Sequence, residues 1–449
     1  MKSLLDFYRI FDLAYGTGII DKYESLMEMQ YWFEGKIREY QEEKLKAIVT
    51  HAYNHVEYYH TLFDRIGIKP ADIRHREDLE KIPLISREDL QNNSRIFMSK
   101  DISVRKVFKM HTSGTTGIAL QHVLDREAWA WLKAISLRNW SWAGWNFTDK
   151  VGLMTVAGSS SQQKGNFKNK IWLNVQNLVP IEIMHMDEAI IRENLRKIEK
   201  YRITHLRGYP SGIYSMALFI QKLDIKMEMK SVMTTAEVLY PYQRKVIEDV
   251  FGCRVFDAYG THDGCVSSGE CERHKGLHLH FEPSIVQIVD PAGRSVPNGR
   301  EGDVVATALF NYAMPLIRYK VNDRATMSKE PCSCGRNTPL IKHILGRSSE
   351  IFRLPNGRIF NGLSMPLEDY NSIEFFQIVH AEPDRIDINI IGKNEMEEDL
   401  QKDIKDIQRL ITFHAGEGMR VNINLVEKME YSRGGKFRYV ISKVNYDKI

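Results

Sequence analysis

His111–Gly117 reads HTSGTTG, and the reading of these seven residues decides how the rest of the chain is understood. Hydroxyls at Thr112, Ser113, Thr115 and Thr116 are interspersed with Gly114 and Gly117. Val104, Val107, Phe108 and Met110 just before them carry the apolar content of a strand. Glycine tolerates positive φ, so such a loop bends sharply. It can also converge backbone N–H groups and hydroxyls on one anionic ligand, which is how a phosphate is cradled. No Lys-Ser/Thr pair follows the glycines, so this is not a Walker A loop. A polar turn between two strands would use the same residues. The remainder of the chain has to choose between the two.

At 449 residues the chain exceeds one ordinary core, which predicts one large domain and one smaller one. Hydrophobic residues at 43% and aromatics at 10% place it among packed globular proteins. A net charge of +4, with both signs mixed throughout, leaves too little basic excess for nucleic acid. The opening MKSLLDFYRIFDLAYG is apolar but interrupted by Asp6, Arg9 and Asp12, so it reads as an amphipathic helix and not as a secretory signal. No apolar run is long enough to span a membrane. Five cysteines without a signal peptide point to a reducing compartment, the cytoplasm.

Residues 1–100 read as mostly helical, with Leu45, Ile48, Val49 and Ala52 at helical spacing. Met27, Met29, Tyr31, Trp32 and Phe33 are expected to pack against a core, and Ser86 after Pro83 is an N-cap candidate. Asp125–Trp142 predicts a helix bearing Trp129, Trp131, Trp140 and Trp142. These tryptophans either wall an aromatic substrate pocket or pack against a sheet, and packing is the commoner use. From Val151 to Ala258, strand and helix patterns alternate, with a turn expected at Arg207–Ser211, which predicts an α/β domain. From Gly276 to Ala308 the period shifts towards two, predicting a β-rich subdomain, and Gly346-Arg347 marks a boundary. Beyond it, strands at Phe375–Val379, Asp387–Ile391 and Val421–Val426 and an amphipathic helix at Glu397–Phe413 predict a small α+β lid. The expected architecture is an α/β chain: residues 1–346 form a large domain of helix-covered β-sheets with a β-rich subdomain, and residues 347–449 form the lid.

Four further stretches line up with HTSGTTG: FDAYGTHDG (Phe256–Gly264), EGDVVAT leading into LIRYKVNDRA with Asp323, ILGRSSE (Ile344–Glu350) and RGGKFR (Arg433–Arg438). Their order and spacing resemble the adenylate-forming superfamily of acyl-CoA synthetases. The helical N-terminus, the tryptophan-rich helix and TTAEVL (Thr234–Leu239) resemble more narrowly its phenylacetate–CoA ligase branch, and within it the capsule-biosynthesis and coenzyme F390 synthetase-like members. The resemblance covers nearly the whole chain. It implies activation of a carboxylic acid with MgATP to an acyl-adenylate and pyrophosphate, then transfer to coenzyme A. It implies phosphate contacts from Ser113, Gly114, Thr115, Thr116 and Gly117, with Thr115 also among the catalytic residues. Asp323 would take the ribose hydroxyls. Ala236, Glu237, Asp257, Ala258, Tyr259, Gly260 and Thr261 would line the nucleotide, with Tyr259 stacked near adenine. Asp263 would hold Mg²⁺. His262-Asp263 departs from the family's usual Ser/Thr-Glu, and Asp is one methylene shorter. Arg347 would contact the nucleotide, and Ser349 would be the hinge, where the family usually has Asp. Lys436, after two glycines, would be the catalytic lysine that stabilises the charge of the transition state. Trp140 and Tyr209 are placed near the acid.

Cys332 and Cys334 in PCSCGR, with Cys271 and the histidines of ECERHKGLHLH, suit a structural Zn²⁺ site, although Cys-X-Cys spacing is unusual for zinc. Relatives in the branch carry a similar Cys-X-Cys. Gly-Leu-His resembles a recurrent element of theirs and favours His278 as fourth ligand, with His274 the alternative. Cys253 and Cys265 read as small buried hydrophobes. Two other outcomes stay open: transfer of the acyl group to an amine or hydroxyl in surface-polysaccharide biosynthesis, and a non-catalytic nucleotide-binding scaffold. Both the acid and the oligomeric state, monomer or homodimer, stay open too.

Overall fold

The computed structural model describes residues 4–104, 106–111, 121–154, 173, 176–182, 188–261, 263–347, 351–353, 359–361, 370, 372–393, 397–415, 418–429, 437 and 440–444. The chain divides into two compact units, Met1–Ile344 and Leu345–Ile449.

The first unit opens with helices α1 (Leu4–Tyr15), α2 (Ile19–Met29), α3 (Glu34–His55), α4 (Glu57–Ile66) and α5 (Arg87–Asn92). Leu45, Ile48, Val49 and Ala52 of α3 are fully buried, as their spacing predicts. Ser86 caps α5, its hydroxyl accepting from the Asp89 amide while the Asp89 carboxylate accepts from the Ser86 amide. The aromatic stretch after α2 divides differently from expectation. Met29 is buried, but Tyr31 and Phe33 are exposed. They lie in the short connection between α2 and α3, where successive side chains do not all face inward.

Strands β1 (Val107–His111) and β2 (Gln121–Asp125) pair antiparallel, and helix α6 (Arg126–Trp142) follows at once. Asp125 is its N-cap, accepting from the Ala128 amide at 2.9 Å. The four tryptophans of α6 fan out instead of forming one wall. Trp129 stacks on Phe108, Trp131 on Phe310, Trp140 meets Trp145 edge-on, and Trp142 donates to Gln30.

A five-stranded parallel sheet comes next, built from β3 (Val151–Met154), β4 (Leu178–Pro180), β5 (His205–Gly208), β6 (Ser231–Thr235) and β7 (Arg254–Ala258) in the order β4-β3-β5-β6-β7. Helices α7 (Glu188–Tyr201), α8 (Pro210–Lys222) and α9 (Pro241–Phe251) alternate with the later strands. The sheet is buried on both faces, as parallel sheets are. Leu206, Val232 and Val255 pack with Ile198, Ile213 and Ile247 of the helices. On the opposite face Leu153, Arg207, Met233 and Phe256 stand in register, and Trp140 and Trp145 share a core with Leu153, Met233 and Phe256. The turn expected at Arg207–Ser211 is therefore a strand running almost directly into a helix, with Pro210 at the first helical position, where its fixed φ fits. Four residues suffice for a buried parallel strand, too few for a period to register in the sequence. From β3 the chain lays β4 on one side and later β5 on the other, so the strand order reverses between β3 and β5.

The β-rich region is a six-stranded sheet of β8 (Ser268–Glu270), β9 (Leu277–Leu279), β10 (Ser284–Val289), β11 (Glu301–Ala308), β12 (Tyr319–Met327) and β13 (Leu340–Arg347), in the order β10-β11-β12-β13-β9-β8. Its Ile285, Val304 and Ala306 share one core with α3 and α4.

In the second unit β14 (Ile351–Arg353) and β15 (Ile359–Asn361) form a hairpin, and β16 (Ile373–Glu382), β17 (Arg385–Gly392), β18 (Arg420–Leu425) and β19 (Val440–Ser442) form a sheet in the order β18-β17-β16-β19. Helix α10 (Glu397–Ala415) buries Leu400, Ile407 and Ile411. Among the described residues no helix is long and apolar enough to cross a membrane.

Candidate active site

The carboxyl ends of β6 and β7 bring most of the expected nucleotide residues of the first unit to one edge. After β6, Ala236 takes a left-handed backbone with φ 71°. For a residue with a Cβ this costs on the order of 1 kcal/mol, a strain that the surrounding packing must hold. Glu237 accepts from the Ser211 amide at 3.1 Å, tying this turn to the start of α8. On β7, the Asp257 carboxylate accepts from the Thr234 hydroxyl at 2.7 Å. Its amide donates to Glu270, which Arg244 grips through both oxygens at 2.8 Å. Burial, and then the Glu270 carboxylate, raise the Asp257 carboxyl to about 7.

Ala258, Tyr259, Gly260 and Thr261 lead out of β7. The Tyr259 hydroxyl donates to Oδ2 of Asp323 on β12 at 2.8 Å, so the two sheets meet at the pair expected to flank the ribose and adenine. Asp263 is buried. Its Oδ1 accepts from the Thr261 hydroxyl and, at 3.0 Å, from the Cys265 amide. A carboxylate held in this way is a hard oxygen ligand suited to a cation. Gly264 next to it has φ 78°, and a Cβ there would meet Leu132 at 2.7 Å, so the turn that aims Asp263 requires glycine. Asp263 and Gly264 also line a small cavity with Trp131, Leu132 and Phe310.

Trp140 is buried against Trp145, with the Arg207 guanidinium 5.6 Å from its ring. Tyr209 is the N-cap of α8, its amide donating to Met154 at the end of β3. Arg347 ends β13. Ser113, Gly114, Thr115, Thr116, Gly117, Ser349 and Lys436 lie outside the described residues.

A second constellation lies at β8, β9 and the loop before β13. One ligand atom each from Cys271, His278, Cys332 and Cys334 falls within 4.8 Å of every other. Cys271 Sγ and Cys332 Sγ are 3.7 Å apart, and Cys334 Sγ and His278 Nε2 are 3.4 Å apart. Tetrahedral zinc with Zn–S and Zn–N bonds near ~2.3 and ~2.0 Å has ligand–ligand edges of about 3.5 to 3.8 Å, so the cluster fits the ion. Thr338 at 2.8 Å from His278 Nδ1 orients the ring so that Nε2 faces the thiols. Amides of Arg273 and Arg336 point at Cys271 and Cys334. His274, the alternative, instead turns to Glu270 at 3.3 Å and packs on Phe256.

Sequence reasoning passed over Thr234, Arg244, Glu270 and Thr338, which hold the chosen residues in place, and Lys133 and Arg207, which face the α6 side of the parallel sheet. Only Lys133 carried a signal, a charge on the tryptophan-rich face of a helix.

Comparison with known proteins follows the same lines. Residues 356–443 match the CapK C-terminal domain family. Phenylacetate-coenzyme A ligase of Thermus thermophilus is 26% identical over 325 residues, 70% of this chain and 71% of that protein. Protein CapK of Staphylococcus aureus is 20% identical over 414 residues, 90% of this chain and 89% of that one. Among solved structures, 2-hydroxyisobutyryl-CoA ligase in the postadenylation state with 2-HIB-AMP superposes with a TM-score of 0.75 at 18% identity, covering 93% of each chain. The fold is thus that of the adenylate-forming CoA ligases.

Proposed function

We propose that the chain activates a carboxylic acid with ATP, forming an acyl-adenylate and pyrophosphate, and then transfers the acyl group to the thiol of coenzyme A. One observation supports this reading: the strained turn at Ala236-Glu237 and the stretch Asp257–Tyr259 stand at the carboxyl edge of the parallel sheet, where the Tyr259 hydroxyl bonds Asp323. Relatives named as phenylacetate-coenzyme A ligases, alike over some seven-tenths of the chain, support the same chemistry.

In the first step a carboxylate oxygen attacks the α-phosphorus and pyrophosphate leaves. Ser113, Gly114, Thr115, Thr116 and Gly117 would hold the β- and γ-phosphates, with Thr115 nearest the reacting centre. Asp323 would accept both ribose hydroxyls, its orientation set by Tyr259. Ala236, Glu237, Ala258, Gly260 and Thr261 would line the adenine. Asp263 suits Mg²⁺, which would neutralise phosphate charge when bound. Lys436 would stabilise the pentavalent transition state. In the second step the thiol sulfur, losing its proton, attacks the carbonyl carbon of the acyl-adenylate, the thioester forms and AMP leaves. Residues 1–346 would be the adenylation domain and 347–449 the lid, with Arg347 against the nucleotide and Ser349 at the hinge. Cys271, His278, Cys332 and Cys334 would hold a structural zinc ion that pins β8, β9 and the loop before β13.

A second reading keeps the activation step and gives the acyl group to an amine or hydroxyl of surface-polysaccharide biosynthesis in place of the thiol, as the resemblance to capsule-biosynthesis members implies; the CapK relatives are the ones on which it rests. Acid-dependent ATP–pyrophosphate exchange across a broad acid panel tests the activation step, and its complete absence would leave a non-catalytic scaffold. Supplying coenzyme A, amines or hydroxyl compounds and identifying the product by mass decides the acceptor.

A further inference from the structure

Lys133 on α6 and Arg207 on β5 have no part in the nucleotide residues above. Neither cationic head has a carboxylate or hydrogen-bond partner among the described residues, and each lies against a tryptophan face. Lys133 Nζ is 5.4 Å from the Trp129 ring centre, and the Arg207 guanidinium carbon is 5.6 Å from that of Trp140. Trp129, Lys133 and Trp140 are four and then seven residues apart, which puts them on one face of α6. Arg207 reaches that face from the other side. Strand alternation aligns it with Leu153, Met233 and Phe256, the sheet residues that pack beneath α6, while its neighbour Leu206 points to the opposite core.

Both side chains are only partly exposed. Burial, and then the positive charge of Arg207, pull the Lys133 ammonium down to about 8, so the two cations sense one another. Burial likewise lowers Arg207. Two like charges brought to one face of α6 from elements about seventy residues apart in sequence repel one another, and an anion between them relieves that repulsion. Their place in the topology supplies a reason for one. Arg207 is the penultimate residue of β5, beside β3, where the strand order reverses. In open parallel sheets ligands enter the crevice at the carboxyl ends of the strands at such a reversal. Tyr209, two residues on, and Glu237, tied to Ser211, connect this crevice to the nucleotide edge.

We propose that Lys133 and Arg207 form an anion subsite for a second acidic group on the substrate, a carboxylate or a phosphate remote from the carboxylate that is activated. The substrate class is then acids carrying two negative groups. The reacting carboxylate is not the ligand of this pair, since two cations gripping it would blunt its attack on phosphorus. The proposal rests on the adenylation reading.

The test uses the full chain as wild type and as Lys133→Gln, Arg207→Gln, Lys133→Arg and Arg207→Lys, with pyrophosphate release as readout. Acids are supplied in pairs of equal length, one ending in a carboxylate or phosphate, the other in a methyl group. Wild type is expected to show at least about tenfold higher kcat/KM for the dianionic member. Each Gln variant should raise KM for that member about 10- to 100-fold with kcat little changed, and leave the methyl-ended acid as it was. If the Gln variants do not fold, the Lys/Arg exchanges decide, with a smaller rise in KM confined to the dianionic acids. Preference of wild type for the methyl-ended acids overturns the proposal. So does a rise in KM for ATP or coenzyme A in place of the acid, which would assign the pair to their phosphates. If no acid supports turnover, calorimetric titration with the same dicarboxylates and with inorganic phosphate separates the two readings. Binding lost in the Gln variants upholds the subsite while adenylation fails, and absence of binding by wild type ends the subsite.

Discussion

The hydroxyl of Tyr259 donates to Oδ2 of Asp323 at 2.8 Å, across 64 residues of sequence, and this bond joins the carboxyl edge of the parallel sheet to the antiparallel one. It holds the carboxylate in one orientation before any sugar arrives, which lowers the cost of binding. Tyr259→Phe should therefore raise KM for ATP about 3- to 10-fold, the range set by a hydrogen bond to a charged group partly replaced by water. Asp323→Ala should raise it far more. In the double variant the Tyr259→Phe effect should vanish, as a cycle of exchange rates will show. Additive losses would mean that Tyr259 acts on adenine alone.

Zinc is expected at one equivalent per chain in protein purified under reducing conditions. Cys334→Ser and His278→Ala should each abolish it and lower the melting temperature, whereas Cys253→Ser should do neither. Thr338→Val should weaken zinc affinity about 10- to 100-fold, because it removes the partner that orients the His278 ring. Metal analysis with competitive chelation measures all four. Retention of zinc in His278→Ala but not in His274→Ala would return the ligand role to His274.

Asp257 predicts a pH dependence of stability. Its carboxyl sits at about 7 in the fold against an ordinary 3.8. The folded chain thus binds a proton over that window that the unfolded chain has released. This contribution to stability is fully present below about pH 4 and is lost as pH rises through about 7. Asp257→Asn cannot ionise and still accepts from Thr234. Its margin in melting temperature over wild type should widen from about pH 5 to about pH 7 and stay level above that. A difference that stays flat between those values would show that Asp257 is ionised throughout.

Arg138 and Glu282 form an ion pair at 2.6 Å with side chains 2% and 0% exposed, and His280 completes the cluster. Arg138→Met leaves the Glu282 carboxylate buried alone and should destabilise the chain by about 3–5 kcal/mol. Replacing both, as Arg138→Met with Glu282→Leu, should recover much of that loss. Urea unfolding of the three proteins measures it.

Lys436→Ala should abolish acid-dependent pyrophosphate exchange while leaving thioester formation from a supplied acyl-adenylate largely intact. Equal loss of both half-reactions would remove the specific role of Lys436 in the first.

Much was legible in the sequence because it is local. The spacing of Leu45, Ile48, Val49 and Ala52 places the inner face of α3, Ser86 announces its capping box, and β7 runs over Arg254–Ala258 as its apolar pattern predicts. Motif order pointed to the nucleotide residues, and the Cys-X-Cys of Cys332 and Cys334 to a metal. What the sequence could not supply was convergence. On paper Gly-Leu-His favours His278, with His274 the alternative, but neither ring has a stated position. Only the pairing of β9 with β8 and β13 carries one ring to the thiols, while the left-handed backbone at His274 turns the other towards Glu270. Arg207 looked like a turn residue because a four-residue strand has too short a period to read. The parallel register then puts it in line with Met233, on the face that packs beneath α6. Periodicity and capping are set by neighbours along the chain, so composition and spacing determine them. Which side chains share a site depends on strand order and register, and these are settled by burying both faces of a sheet at once, an energy no single segment carries.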